Sequence, residues 1–342
     1  MFKHSFIIAV AFLCLGCSGD DFNQDILKPE SKKNMGELLV VLDKKYWENS
    51  NIAFAIKNNF GQLVTSTPLP YEPEFNVEFV DQGGVNKIIK RHKTILIVNI
   101  NPSSNINSKE IPTPIFDLWA KNQIVYKINA SSEKNAITII NHHADSIKLG
   151  INQFYYSSIL SFAGENKKAN AVLKENHSIE LKLPSNMLIK KSASNFTWLS
   201  RTKIKKDNNG DHEIQQGVLV YSYPYVNENI FSLEHQIKLR DSLLKKHVHG
   251  TVENSYMTTR KDELANNQSQ AQLINNKYVF TIRGLWRVEN DKMGGPFISV
   301  STLSKDQERV ITIEGYVYAP NFKKRELLKE LEAVIHSFEL NR

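Results

Sequence analysis

Cysteine is almost absent from this 342-residue chain: there are two, Cys14 and Cys17, both close to the N-terminus. The body beyond them therefore has no disulfide and no cysteine-based zinc site. Long hydrophobic runs are as scarce. Phe6–Leu15 is an apolar stretch of about ten residues, roughly half of what a membrane-spanning helix requires. Short chemical signatures are missing as well, with no Gly-x-Ser-x-Gly elbow, phosphate-binding glycine loop, dinucleotide fingerprint or His-Glu-x-x-His helix. A hydrolase whose residues are dispersed along the chain would leave no such mark. An excess of one charge is lacking too, since 43 Lys and Arg against 36 Asp and Glu give +7. The basic clusters Lys87–Lys93, Lys203–Lys206 and Lys323–Arg325 form no stripe with stacking aromatics, so they read as solvated faces and not as a nucleic-acid surface. Contact with anionic lipid stays open.

What is present begins at the N-terminus. Lys3 supplies a positive n-region, the apolar run follows, and Gly16 is the small residue a peptidase needs, so residues 1–16 are expected to be a cleaved signal. Leu15-Gly16-Cys17 resembles the lipobox of bacterial lipoproteins, with Cys14 standing where that pattern prefers leucine. The resemblance implies acylation of Cys17, which becomes the new N-terminus. Each buried acyl CH₂ contributes about 0.8 kcal/mol, so two or three chains make a stable anchor. An unmodified Cys17 would be a lone thiol in an oxidising compartment. Ser18-Gly19 offers no aspartate next to the cysteine, which points to the outer membrane. Asp20-Asp21 reads equally as a surface-export signal or a polar tether, so the membrane face stays undetermined.

Residues 17–35 are polar and aperiodic, a lipidated flexible tether. Residues 36–176 are expected to form an N-terminal α/β domain. Glu37–Leu42 and Thr94–Ile100 are branched apolar runs suited to buried strands, Phe75, Val77 and Phe79 alternate, and Gln123–Ala130 is a further strand. A helix opens at Asp43 and stops at Gly61, a short one opens at Thr113 or Asp117, and a long one follows Ser131 or Ser132. A fourth covers Lys167–Asn176. Residues 177–342 are expected to form a C-terminal α+β domain, an antiparallel sheet covered by helices. It starts at the alternating Ile179, Leu181 and Leu183. Further strands are read at 187–191, 196–201, 217–223, 278–288, 297–303 and 310–318, with a hairpin at Asn208-Asn209-Gly210-Asp211. A helix runs to about His247 and a strongly amphipathic one covers Lys323–Phe338. Asn266–Asn276 reads as a mobile loop. The fold class is thus α+β, with two layered domains.

Several segments carry a family resemblance: Leu69-Pro70-Tyr71-Glu72-Pro73-Glu74-Phe75, Asn195-Phe196-Thr197-Trp198, Arg240-Asp241-Ser242, Ser255-Tyr256-Met257-Thr258, Arg283-Gly284-Leu285-Trp286, Met293-Gly294-Gly295-Pro296-Phe297, and Glu314 to Pro320 with Lys324-Arg325. Together they resemble the lipoprotein family called domain of unknown function 4837, which has no established activity. More loosely, the second half is similar to the PsbP/Mog1 type of α+β module, a likeness of fold that does not fix function.

Candidate site residues are few. Glu72, held between Pro70 and Pro73, suits a site carboxylate or plain turn polarity. Arg283 and Trp286 suit ligand anchors, the alternative being a hairpin turned at Gly294-Gly295-Pro296 with Trp286 in the core. His142 and Asp145 are helical neighbours but only two metal ligands, short of a zinc site. No cofactor is implied. The expected role is a lipid-anchored binding or assembly module of the outer membrane with an envelope protein or glycan partner and no nucleic acid. The alternatives are a cell-envelope hydrolase with a dispersed active site and a purely structural envelope component.

Overall fold

The computed structural model describes residues 28–341 except 33, 65–66, 68–69, 104–110, 209, 264 and 275. Cys17 and the signal lie outside the described residues.

The first half is built on β1 (Glu37–Leu42), whose apolar run lies between β2 (Asn76–Asp81) and β3 (Thr94–Ile100), parallel to both. Between β1 and β2 run α1 (Lys44–Glu48) and α2 (Ile52–Phe60). Asp43 caps α1 as expected, yet the single helix read there is broken at 49–51, where Asn51 offers no side-chain cap. Beyond β3 come β4 (Pro114–Phe116) and β5 (Ile124–Ala130), giving the order β2-β1-β3-β5-β4 with only β4 antiparallel. The helix expected at Thr113 or Asp117 is absent: Pro114 begins the edge strand, and Asp117 takes a left-handed φ of 53° while its carboxylate accepts the Gln123 N–H. Ser132 caps α3 (Glu133–Ser161), which with α2 covers one sheet face. Leu39, Val41, Ile95, Ile97 and Val125 face the other way, against connecting segments.

The second half opens with α4 (Lys167–His177) and β6 (Ile179–Glu180). Instead of starting the large sheet, β6 forms a two-stranded ribbon with the last strand of the chain. The large sheet is antiparallel. Its strands are β7 (Leu188–Ala193), β8 (Phe196–Asp207), β9 (Gly210–Pro224), then, after α5 (Leu233–His247), β10 (Tyr256–Thr259), β11 (Gln268–Ile274), β12 (Lys277–Glu289), β13 (Gly294–Leu303) and β14 (Arg309–Tyr318). The chain closes with α6 (Arg325–His336) and β15 (Glu339–Leu340). The β8–β9 hairpin closes at Asp207 and Gly210, and Gly210 has φ 117°.

Two expectations are corrected here. The Asn/Gln-rich segment is strand β11, an edge strand whose polar residues face solvent along β12. Gly294 and Gly295 are strand residues, opposite Arg287 and Trp286, and the turn lies at Asn290 with φ 63°. A Cβ on Gly295 would meet the Val317 carbonyl oxygen at 2.0 Å, so close backbone approach and not turning requires glycine there.

The sheet is covered on both faces. One face packs on α4 and α6 through Leu173, Leu331, Val334 and Ile335, the other on α5 through Leu244. Because Ala169 and Leu173 of α4 belong to this core, packing divides the chain in the loop 162–166, ahead of α4 and not after residue 176.

A groove and a polar seam between the domains

The two halves meet where α6 lies against α3. The apolar stripe of α6 is spent on its own sheet, so the contact with α3 is made by polar residues at its margins. Glu332, almost fully buried, is bonded by Arg283 and accepts the Tyr156 hydroxyl at 2.7 Å, with Lys329 3.6 Å away. Burial alone would raise its pKa, but Arg283 and then Lys329 hold the carboxyl well below the usual range. Burial, and next the Glu332 charge, push the Tyr156 hydroxyl well above its own. Lys329 also donates to Asn152 Oδ1 at 2.9 Å.

Glu72 belongs to the same seam. It is 2% exposed, and its Oε1 accepts the backbone N–H groups of Lys324 and Arg325, the latter at 3.0 Å. Lys324, the residue before α6, has no side-chain capping bond of its own. A carboxylate from the first domain thus caps a helix of the second. The Arg325 guanidinium in turn donates to the Pro73 carbonyl at 2.7 Å and lies across Gly36, where a Cβ would be 2.6 Å from it.

Clefts open on either side of this seam. One, about 370 Å³, is lined by Glu74, Asn152, Arg283, Arg325, Lys329 and Glu332, a polar surface already bonded to itself. The other, about 520 Å³, has Met35, Ile159, Leu160, Phe162 and Val334 as apolar lining and Lys93, Arg201 and Lys203 as cations, with Glu330 among them. Arg201 is bonded to Glu330, and Lys203 lies 4.0 Å from the same carboxylate. Lys93 is 9% exposed, and burial lowers its pKa against the raising effect of Glu30. Among the described residues, its ammonium has no hydrogen bond or ion pair. Phe162, which lines the same groove, is 83% exposed.

Of the residues singled out in the sequence, Glu72 and Arg283 come together at the seam and Trp286 does not. Trp286 is 1% exposed, donates to the Val317 carbonyl at 3.2 Å and meets Tyr316 edge-on at 5.4 Å. His142 and Asp145 are exposed on α3; Asp145 pairs with Lys148 at 2.8 Å, and His142 contacts the His143 ring. Lys93 and Lys203 were visible only as parts of two basic clusters more than a hundred residues apart, and Arg201 only as the end of a strand.

A second polar cluster lies wholly inside the large sheet. Arg240 of α5 makes two 2.7 Å bonds to Glu314 of β14 and one of 2.8 Å to Thr259, with its guanidinium 3.9 Å above the Phe297 ring. Both ions are buried, at 1% and 0% exposure. Motif segments quoted above, Arg240-Asp241, Phe297 and Glu314, therefore meet in the core, where they fix α5 to the sheet.

Comparison with known families follows the same division. A family model titled domain of unknown function (DUF4837) matches residues 165–337, and one titled domain of unknown function (DUF8532) matches residues 31–161. No curated protein matches the sequence.

Proposed function

Since the chain belongs to the DUF4837 family, whose title assigns no activity, we propose a function from the groove: a lipid-anchored binding module of the cell envelope, held at the outer membrane through Cys17, that takes an amphiphilic anionic ligand between its domains. The observation that carries this reading is the pairing of an apolar lining with the Lys93 ammonium, which has no hydrogen bond or ion pair among the described residues, and with Arg201 and Lys203 of the same lining. A volume of about 520 Å³ suits a small molecule, since ligand pockets span about 300–1,000 Å³. An apolar tail would lie on Ile159, Leu160 and Phe162 while a phosphate or carboxylate meets the cations. The anchor is supported by the signal and its cysteine alone.

Calorimetric titration with a medium-chain alkyl phosphate, below its micellar concentration, tests the groove. Saturable single-site binding is expected, weakened at least tenfold by Lys93→Met and by Phe162→Glu, the latter on an exposed side chain that leaves folding intact. Wild-type affinity in both variants would overturn the reading. For the anchor, acyl-chain labelling in cells is expected for the wild type and lost in Cys17→Ala.

A further inference from the structure

The loop-covered face of the first sheet gathers a second set of groups, none of them in the groove lining. Glu37 opens β1 and Glu78 lies on the neighbouring β2, opposite Leu39 in the parallel register, so the two carboxylates project on one face two residues apart along the strands. His92 follows a 3₁₀ turn, Ile89–Arg91, and precedes β3. Its Nδ1 lies 3.1 Å from the Thr94 carbonyl oxygen, which only accepts, so Nδ1 carries the proton and Nε2 is directed at the carboxylates. Nε2 is 3.9 Å from Glu37 Oε2 and 3.9 Å from Glu78 Oε2, and the three atoms all lie within 4.8 Å of one another.

These distances are too long for direct hydrogen bonds, which run about 2.7–3.2 Å. They are close to what a shared cation imposes: bonds of about 2.0–2.2 Å at a tetrahedral angle set ligand atoms about 3.4 Å apart. A contraction of about half an ångström brings the imidazole to ligating distance from each carboxylate. A carbonyl that fixes the tautomer of a histidine is the usual outer partner of a metal ligand. His92 is 5% exposed and Glu37 16%, while Glu78, at 46%, leaves one side open to solvent. We propose that Glu37, Glu78 and His92 form a binding site for a divalent transition-metal ion, with zinc the best fit to one imidazole and two carboxylates and a fourth position left to water. The ion would tie the starts of β1 and β3 to the edge strand β2. This site shares no residue with the groove, so either proposal can fail without the other.

The test is calorimetry of ZnCl₂ into the tag-free full chain, chelator-treated, with Cys14 and Cys17 alkylated so that neither thiol competes. One ion per chain is expected, with affinity lowered at least tenfold by Glu78→Gln, a half-exposed position where folding is not at stake, and abolished by His92→Gln. Asp145→Asn, on the exposed helical pair, is expected to leave the titration unchanged. Absence of saturable binding, or a wild-type affinity in Glu78→Gln, overturns the proposal; if His92→Gln fails to fold, the Glu78 variant decides alone.

Discussion

His177, the last residue of α4, has no exposed surface, and its ring nitrogens lie 2.9 Å from Thr197 Oγ1 and 3.4 Å from Ser222 Oγ. Burial first, and the Arg309 charge second, lower its pKa from 6.5 to about 4. The folded state therefore holds the neutral ring. Between those two values the unfolded chain binds the extra proton, so stability falls as pH drops from about 6.5 towards 4, by about 3 kcal/mol in all. Urea unfolding at pH 7 and pH 4.5 should show this loss in the wild type and a clearly smaller one in His177→Gln. An unchanged slope would assign the acid sensitivity elsewhere. Nothing in the local sequence around His177 announces this role, because both partners come from strands β8 and β9. The same is true of Glu72, whose partners are about 250 positions away. Trp286 and the glycines near it were conspicuous, yet what they serve is packing: Gly295 admits a carbonyl that the indole then bonds.

At the scale of elements, periodicity carried furthest where burial is one-sided or complete. β1 and β3 coincide with their apolar runs, and α3 begins at its serine cap. Two edge strands were the least legible. β4 and β11 have little to bury, so their residues carry no alternation, and only pairing with β5 and β12 makes them strands. The start of α6 was placed two residues early for a related reason. Its cap is Glu72, from another domain, while a local cap would have marked the boundary. Glu72→Ala removes that cap from a buried helix start and is expected to cost about 1–2 kcal/mol. Glu72→Gln keeps an acceptor and should recover most of it. A chemical-denaturation series on the two variants measures the difference, and equal stability of Ala and Gln would argue that the carboxylate caps nothing.

For the whole molecule, the question is whether two separately built cores unfold together. Each half has its own sheet and its own hydrophobic cluster, and the bonds that join them are polar: the Glu72 cap, the Arg325 bond to Pro73, and the Tyr156 hydroxyl bonded to Glu332. Apolar interfaces slide, whereas directional bonds hold one orientation. A groove lined from both sides needs such a fixed orientation, because Ile159 and Phe162 come from one half and Arg201 and Lys203 from the other. Glu332→Ala would leave Arg283 and Lys329, both of the second half, without their shared anion and Tyr156 of the first half without its acceptor. Removing one partner of a fully buried pair costs about 3–5 kcal/mol, and the one-third exposure of Arg283 places this case below that range. The lost ion pair falls on the second half, where Arg283 of β12 and Glu332 of α6 both lie, and the lost Tyr156 bond falls on the contact between the halves. Differential scanning calorimetry should therefore show a single transition in the wild type and two in Glu332→Ala, the first domain melting near its original temperature and the second below it. The double variant Arg283→Met with Glu332→Leu, which removes the charges together, should restore much of the second domain's stability while the Tyr156 bond between the halves stays lost. If Glu332→Ala melts in one transition at the wild-type temperature, the seam does not hold the domains, and the groove would owe its shape to something other than these bonds.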